Sequence, residues 1–558
     1  MELILLLGLG AFGALASGAG LARGRRWGQA GAIVGALALL GMVAVAFALD
    51  APRVGSREIP EGVGILDGRL IPNDYMRLVI ALWALDAAIV TFVAWLAGGL
   101  AGLRGLLPAM LASIVGASVA FAATDLTLGA SAAGATGLVA LIVLLAWRDP
   151  AGMPASAREL RSTVISTVIL IAAIVVAPLA ARLALGGTPE EGGLVGGGAS
   201  SEAAPALVGL LVLAVALAVA IRIGAIPFHL RVPQLADVAP PMTLPLLLAW
   251  VPVPMGVVGL ATVDLLLAPL ALPLANEQLI IVAVAIVTLA GASLAASLQD
   301  DLRHTTGYLV IADGALVLLG FAALTPDAWG PARTWLVALA ASKTALATWA
   351  AVVEGRFLTR DIPELRGWIR RSPMLGAALL LTTVATFGLP GWAAFEARTT
   401  LAELTAGPPL DLILVVLGFL TLPTYLRLLA VGTGSPTSRV ERAPRERIVR
   451  RRRETLPVEV EGTASDGAEH ADSSAAAVRP GRLARARRFA RRSGGTASKG
   501  SVSVGRRITR ALRRDATELM AAAVLTLAVL AALTSWGALD IGGAASEPAP
   551  ITTNAGSD

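Results

Sequence analysis

The chain has 558 residues, 56% of them hydrophobic and only 15% charged. A water-soluble protein of this size has nowhere to hide that much apolar surface, so lipid is the expected solvent for most of it. Cysteine is absent and the three histidines (His229, His304, His470) lie far apart; this excludes disulfides, thiolate nucleophiles and iron–sulfur ligation, and argues against a histidine-built metal or haem site.

In chain order, apolar runs long enough to cross a hydrocarbon core of about 30 Å lie near 2–20, 28–49, 77–98, 105–123, 125–147, 163–184, 205–226, 242–263, 277–298, 307–325, 333–353, 374–394, 409–430 and 516–536. These predict an all-α integral membrane protein with about fourteen spans. The first run lacks a basic n-region and is followed by Arg23, Arg25 and Arg26, so it reads as a retained helix rather than a signal peptide. Alternate loops are basic: Arg23–Arg26, Arg104, Arg148–Arg161, Arg303, Arg356–Arg371 and 431–515. The loops between them (Glu58–Asp67, Thr188–Ala203, Thr325–Gly330 and the tail after Asp540) are acidic, neutral or Gly-rich. The positive-inside rule then predicts both termini outside a prokaryotic plasma (inner) membrane.

Residues 431–515 have another composition, rich in Arg, Glu, Ser, Gly and Ala with few large apolar residues. Such a segment cannot bury a core and is expected to be a disordered cytoplasmic insertion held near anionic lipid. Its Arg450–Arg453 run and "RLARARRFARR" (482–492) supply charge, but with a lone aromatic, Phe489, nucleic acid is not the expected partner. "RRITRALRR" (506–514) is expected to form a basic interfacial helix leading into the last span.

Ionisable groups inside spans cost roughly 2.5–3.5 kcal/mol each on insertion scales, so each needs a reason. The chain has only two lysines, Lys343 and Lys499, and Lys343 lies in mid-span, roughly 15 Å from either end. That is too far for its stem to reach water comfortably, and a buried lysine takes up and releases protons readily. Asp86 lies centrally in its span and Asp125 nearer an end; either a switchable proton site or a helix-packing role would account for each. Arg222 stands five residues before Pro227, which removes a backbone donor and should break the helix. A second break is expected at "GLPGWAAFEARTTL" (388–401), where Gly388, Pro390 and Gly391 adjoin Glu396 and Arg398. Broken spans persist only where protein or a water-filled cavity satisfies the freed backbone groups. Two such breaks, each with a cation, suggest an internally repeated transporter architecture.

Four stretches resemble one family in the same order: "RIGAIPFHLRVPQLADVAPP" (222–241), "QDDLRHTTGYLVIADGALVLLG" (299–320), "SKTALATWAAVVEGRFLTRDIPELRGWIRRSP" (342–373) and "FGLPGWAAFEAR" (387–398). They are similar to the antiporter-like subunits of respiratory complex I and of Mrp-type cation/proton antiporters, over roughly residues 100–430. The resemblance implies two inverted five-helix repeats and a proton path of buried charges and water along the membrane midplane. It places Asp125 on the family's glutamate, Arg222 on the lysine that pairs with it, and Lys343 on a central lysine. Arg398 falls on the terminal lysine or glutamate, Asp313 opposite a histidine, and Val253 where many members keep a lysine or histidine. The Pro-Phe-His stretch that carries the match includes His229. Arginine does not release its proton in this setting, so Arg222 and Arg398 would set a field rather than relay.

The function these residues imply is proton translocation in a complex I-type NADH–quinone oxidoreductase or related assembly, alongside other membrane subunits. The chain would carry no redox cofactor, since it has neither cysteine nor a dinucleotide or haem signature. Proton-path candidates are Asp125, Arg222, His229, Asp313, Lys343, Glu396 and Arg398, with breaks at Pro227 and Pro390. A non-pumping structural paralogue and an Mrp-like cation/proton antiporter subunit are the alternatives. In domain terms the expectation is three leading spans (1–100), an antiporter-like core (101–430), the insertion (431–515) and a last span with an outer tail (516–558).

Overall fold

A computed structural model describes residues 2–49, 63–65, 68–146, 152–184, 200–270, 272–406, 410–442 and 499–546. Most of the basic insertion, residues 443–498, lies outside these, as do the loops 50–62 and 185–199. The chain forms two compact units, Met1–Glu441 with Met520–Asp558, and Arg442–Leu519.

The first unit is almost wholly helical. Among the described residues, eleven helices are long and apolar enough to cross a membrane, and three shorter apolar helices (Leu106–Ala122, Leu126–Val139 and Pro373–Phe387) fall on the remaining expected spans. The leading helices α1 (Glu2–Ala22), α2 (Arg25–Ala48) and α3 (Asp74–Leu103) precede two successive five-span sets. The first set comprises α4 (Leu106–Ala122), α5 (Leu126–Ala146), α6 (Gly152–Ala184), a broken span of α7 (Ser200–Ile223) and α8 (Arg231–Val238), and the span Pro241–Leu270, which contains α9 (Val253–Thr262). The second comprises α10 (Ala275–Leu298), α11 (Leu302–Ala315) with α12 (Val317–Ala322), α13 (Trp329–Phe357), a broken span, and α17 (Leu410–Leu417) with α18 (Leu422–Thr433). Its broken span follows the short helix α14 (Trp368–Arg371) and consists of α15 (Pro373–Phe387) and α16 (Ala393–Ala406). In each set the fourth span is the broken one. Helix α19 (Lys499–Trp536) supplies the last span and is followed by α20 (Ile541–Ala545). The 506–514 stretch is helical, continuous with that span.

The two breaks share a local cause. Gly224 (φ 77°) and Gly388 (φ 66°) adopt the left-handed backbone that other residues resist, each two or three residues before a proline. Buried and exposed faces then sort the spans. The Pro241–Leu270 and Pro326–Phe357 spans are buried throughout their most apolar windows, whereas α1, α2, α6 and α10 leave residues such as Phe12, Leu37, Val175 and Leu294 outward. Helices apolar all round, with one face outward, are what lipid contact requires.

A two-stranded antiparallel hairpin, β1 (Val63–Ile65) with β2 (Gly68–Leu70), ties the leading helices to the first set. Ile71 N–H donates to Ala122 O at 2.7 Å and Thr124 N–H to Arg69 O at 2.9 Å, across the α4–α5 turn. At the opposite loops, the Arg303 guanidinium forks onto Glu354 at 2.7 Å through both Nε and Nη2. Its Nη1 also donates to the carbonyls of Ala236 (3.0 Å) and Ala239 (3.2 Å) at the end of α8. One arginine thus fastens the first broken span to the helix that carries Lys343.

Candidate functional site: two buried charge clusters

The first cluster sits at the Pro227 break. Arg222, in the last turn of α7, is buried, and its Nη1 donates to Glu159 Oε1 at 3.0 Å and to Thr163 Oγ1 at 2.6 Å. Arg231, the first residue of α8, donates to both Glu159 oxygens at 3.0 and 2.9 Å and to Ser162 Oγ at 3.2 Å. Its Nη2 bonds the carbonyl of Arg222, a free acceptor at the end of a helix. The two limbs of the broken span therefore each give one guanidinium to a single carboxylate on α6. Gly137 of α5 makes the space, since a Cβ there would come within 2.9 Å of Arg222 Nη2.

Glu159 was not among the residues singled out from the sequence. Flanked by Arg158 and Arg161, it reads as part of a basic loop before a span starting near 163. Helix α6 instead begins at Gly152, which puts Glu159 on a helical face. The signal was there: Ser156, Glu159, Thr163 and Ser166 follow helical spacing, and all four are buried.

The pairing of Asp125 with Arg222 is corrected. Asp125 is exposed and caps the start of α5, accepting from Thr127 N–H at 2.9 Å and Thr127 Oγ1 at 2.5 Å. Arg222 reaches α5 at Gly137, twelve residues further along, which is about 18 Å at 1.5 Å per residue. Asp125 lines a water-sized cavity of about 30 Å³ together with Tyr75 and Arg333.

The second cluster is deeper. Lys343, on α13 and fully buried, bonds the Asp313 carboxylate of α11 through its Nζ. Nζ also donates to the Tyr425 hydroxyl of α18 at 2.9 Å. Thr421 Oγ1 donates to Asp313 Oδ1 at 3.3 Å, and Thr386 Oγ1 lies 3.4 Å from Tyr425 Oη. An ammonium is thus held between a carboxylate and a phenol, each of which has a threonine hydroxyl beside it. Tyr425 escaped notice because an aromatic in an apolar span reads as core.

Arg398 borders this cluster and is buried. Its Nη2 donates to Phe387 O at 3.0 Å, and its guanidinium carbon lies 4.6 Å from the Phe419 ring centroid. As at the first break, an arginine of the second limb satisfies the carbonyl left free at the end of the first. The remaining candidates stand apart. Glu396 is exposed in the first turn of α16, and His229 is half-buried in the 3₁₀ turn Phe228–Leu230. Pro227 and Pro390 lie exposed at the two breaks. Asp86 is buried on α3 next to Trp83, which stacks on Trp250 at 4.9 Å; among the described residues it forms no ion pair. Val253 is buried and uncharged at the start of α9.

The clusters are joined by packing. A Cβ on Gly224 would lie 3.6 Å from Ile311, and one on Gly314 would lie 3.6 Å from Ile223. The Arg222–Gly224 turn therefore rests on the stretch of α11 that holds Asp313.

Residues 123–421 match the family model described as NADH:quinone oxidoreductase/Mrp antiporter, TM. The chain belongs to this family. Subunit N of the NADH-quinone oxidoreductase of Salinispora tropica is 31% identical over 375 residues, covering 62% of this chain and 70% of that one. The corresponding protein of Halorhodospira halophila is 31% identical over 222 residues, covering 38% of this chain; the match spans only 44% of that relative's length. Among solved structures, respiratory complex I from Thermus thermophilus with bound NADH contains a chain with TM-score 0.59 and 20% identity, covering 81% of this chain and 94% of that one. The Mrp complex from Dietzia sp. gives TM-score 0.59 and 19% identity, covering 79% of this chain and 47% of that one. The all-α fold described above is shared with those chains over the covered residues, and both charge clusters fall within the matched residues apart from Tyr425.

Proposed function

We propose that this chain is the proton-translocating, antiporter-like membrane subunit of a complex I-type NADH–quinone oxidoreductase or a related assembly in a prokaryotic plasma membrane, with both termini outside. The observation that carries this reading is the buried Asp313–Lys343–Tyr425 cluster. A lysine without access to water exchanges its proton only with groups it touches, and this one touches a carboxylate and a phenol. Proton transfer from the ammonium to Asp313 leaves two neutral groups, and the reverse transfer restores the pair. Loading from one side and release to the other would follow changes in the field around this exchange. Arg222 and Arg231 keep their charge and supply a standing field from the first cluster, attached through the packing of the Pro227 break on α11. Other membrane subunits of the assembly are the expected partners, with anionic lipid along the basic insertion.

The test is proton uptake by the whole complex reconstituted in vesicles, wild type against Lys343→Ala. Unchanged uptake in the assembled variant overturns the assignment. A second reading, a paralogue that keeps the fold but does not pump, draws on Arg222 and Val253, which stand where the family resemblance places a lysine and a lysine or histidine. It requires that the same variant assemble and support full coupling.

A further inference from the structure

Outside the antiporter core, α2 and α3 line a groove with a volume of about 460 Å³, within the size range of small-ligand sites. Ile33 and Ala36 of α2 and Ala88, Phe92, Trp95 and Leu103 of α3 line it. Its polar lining is slight: Gln29 at one end, and Thr91, whose hydroxyl is already committed to Ala87 O at 2.8 Å within its own helix. Helix α3 is interrupted at Gly99 (φ 61°), near the Gln29 end. Leu37, Phe92 and Trp95 stand outward around the groove, so it opens where lipid is expected.

The end marked by Gln29, Leu100 and Leu103 is strongly basic. Arg26 precedes Gln29 by one helical turn, Arg104 follows Leu103, and Arg23 lies in the α1–α2 turn; all three are exposed. The start of α2 faces the end of α3 closely, since a Cβ on Gly28 would lie 3.5 Å from the Leu100 side chain. Among the described residues none of the three arginines has a carboxylate partner. The feature is therefore an apolar trough, without directional hydrogen-bonding needs, that ends in fixed positive charge. Guanidinium groups bind phosphate oxygens in pairs, and a flexible hydrocarbon chain fills a trough that offers no polar contacts.

We propose that this groove binds an anionic phospholipid, with an acyl chain between α2 and α3 and its phosphate at Arg26 and Arg104. The charge at the mouth selects it over a zwitterionic lipid, by roughly fivefold for each arginine engaged. A helix of a neighbouring subunit would need to bring acidic residues to the same place.

The experiment uses the full chain, purified with its accompanying subunits and placed in nanodiscs. Phosphatidylglycerol or phosphatidylcholine carrying a diazirine in the acyl chain is added at equal mole fraction, and labelled peptides are mapped by mass spectrometry. The expected result is labelling of the α2 and α3 peptides several-fold higher with phosphatidylglycerol. Ala36→Trp, which fills the trough from an exposed position, should remove it. Arg26→Gln with Arg104→Gln leaves the trough intact and should equalise the two lipids. Equal labelling of wild type by both lipids, labelling that survives Ala36→Trp, or a cross-link from a photoreactive residue at position 33 into a neighbouring subunit in place of lipid each overturns the proposal.

Discussion

The two charge clusters are built from similar parts and behave differently. The first sets one carboxylate, Glu159, against two guanidiniums. The second sets one carboxylate, Asp313, against one ammonium and a phenol. A guanidinium keeps its charge in the membrane interior, while an ammonium can give its proton up. On the proposed function, the first cluster would be a fixed source of potential and the second a switch. Each borders a broken fourth span, but the first draws on the third and fourth spans of its set and the second on the second, third and fifth.

This contrast can be broken in order of expected effect. Glu159→Gln leaves Arg222 buried and Arg231 half-buried with no counter-charge and no way to discharge; it should cost about 3–5 kcal/mol and appear as lost assembly or a large fall in Tm. Asp313→Asn also breaks a buried pair, but Lys343 can become neutral, so its destabilisation should be smaller while proton uptake is abolished. If Asp313→Asn is the more destabilising of the two, the fixed-versus-switchable distinction fails. Tyr425→Phe removes one hydrogen bond to a charged group, about 1.5–3 kcal/mol; it should assemble and translocate protons more slowly. Arg222→Lys tests the comparison from the other side, since it makes the first cluster titratable like the second. It should keep assembly, lose one bond to Glu159 or Thr163, and make uptake more dependent on pH than in wild type.

The smallest effect is expected in the loops. Partial burial, then the nearby Glu364, Asp300 and Asp301 carboxylates, raise the Asp361 carboxyl above its ordinary range. A raised acid binds its proton more tightly folded than unfolded, so its contribution is present at low pH and is lost as pH rises through the raised value. Asp361→Asn should flatten that slope and alter stability at neutral pH by no more than about 0.5 kcal/mol, because the site is exposed. Thermal unfolding in detergent at pH 4, 6 and 8 measures it.

Much of this fold was legible because membrane burial writes itself into the sequence as long apolar runs, and Gly-Pro breaks interrupt them visibly. Lys343 stood out for the same reason, and Asp313 came with it through the family resemblance. Glu159 and Tyr425 did not stand out. One hid among arginines at a span's end, where charge is usually solvated; the other is an aromatic among apolar neighbours, where only its hydroxyl matters. Asp125 was placed by motif alone, and the rise of α5 carries it about 18 Å away from the arginine it was matched with.

Both breaks have their loosened carbonyl held by an arginine from across the gap: Arg231 on Arg222 O, Arg398 on Phe387 O. An opened helix in a membrane usually recruits water to solvate such groups, and a file of water conducts protons. Here those acceptors are already occupied by side chains that do not deprotonate. On the proposed function, the discontinuities would act as insulation, sealing the ends of the path except where the titratable trio opens it.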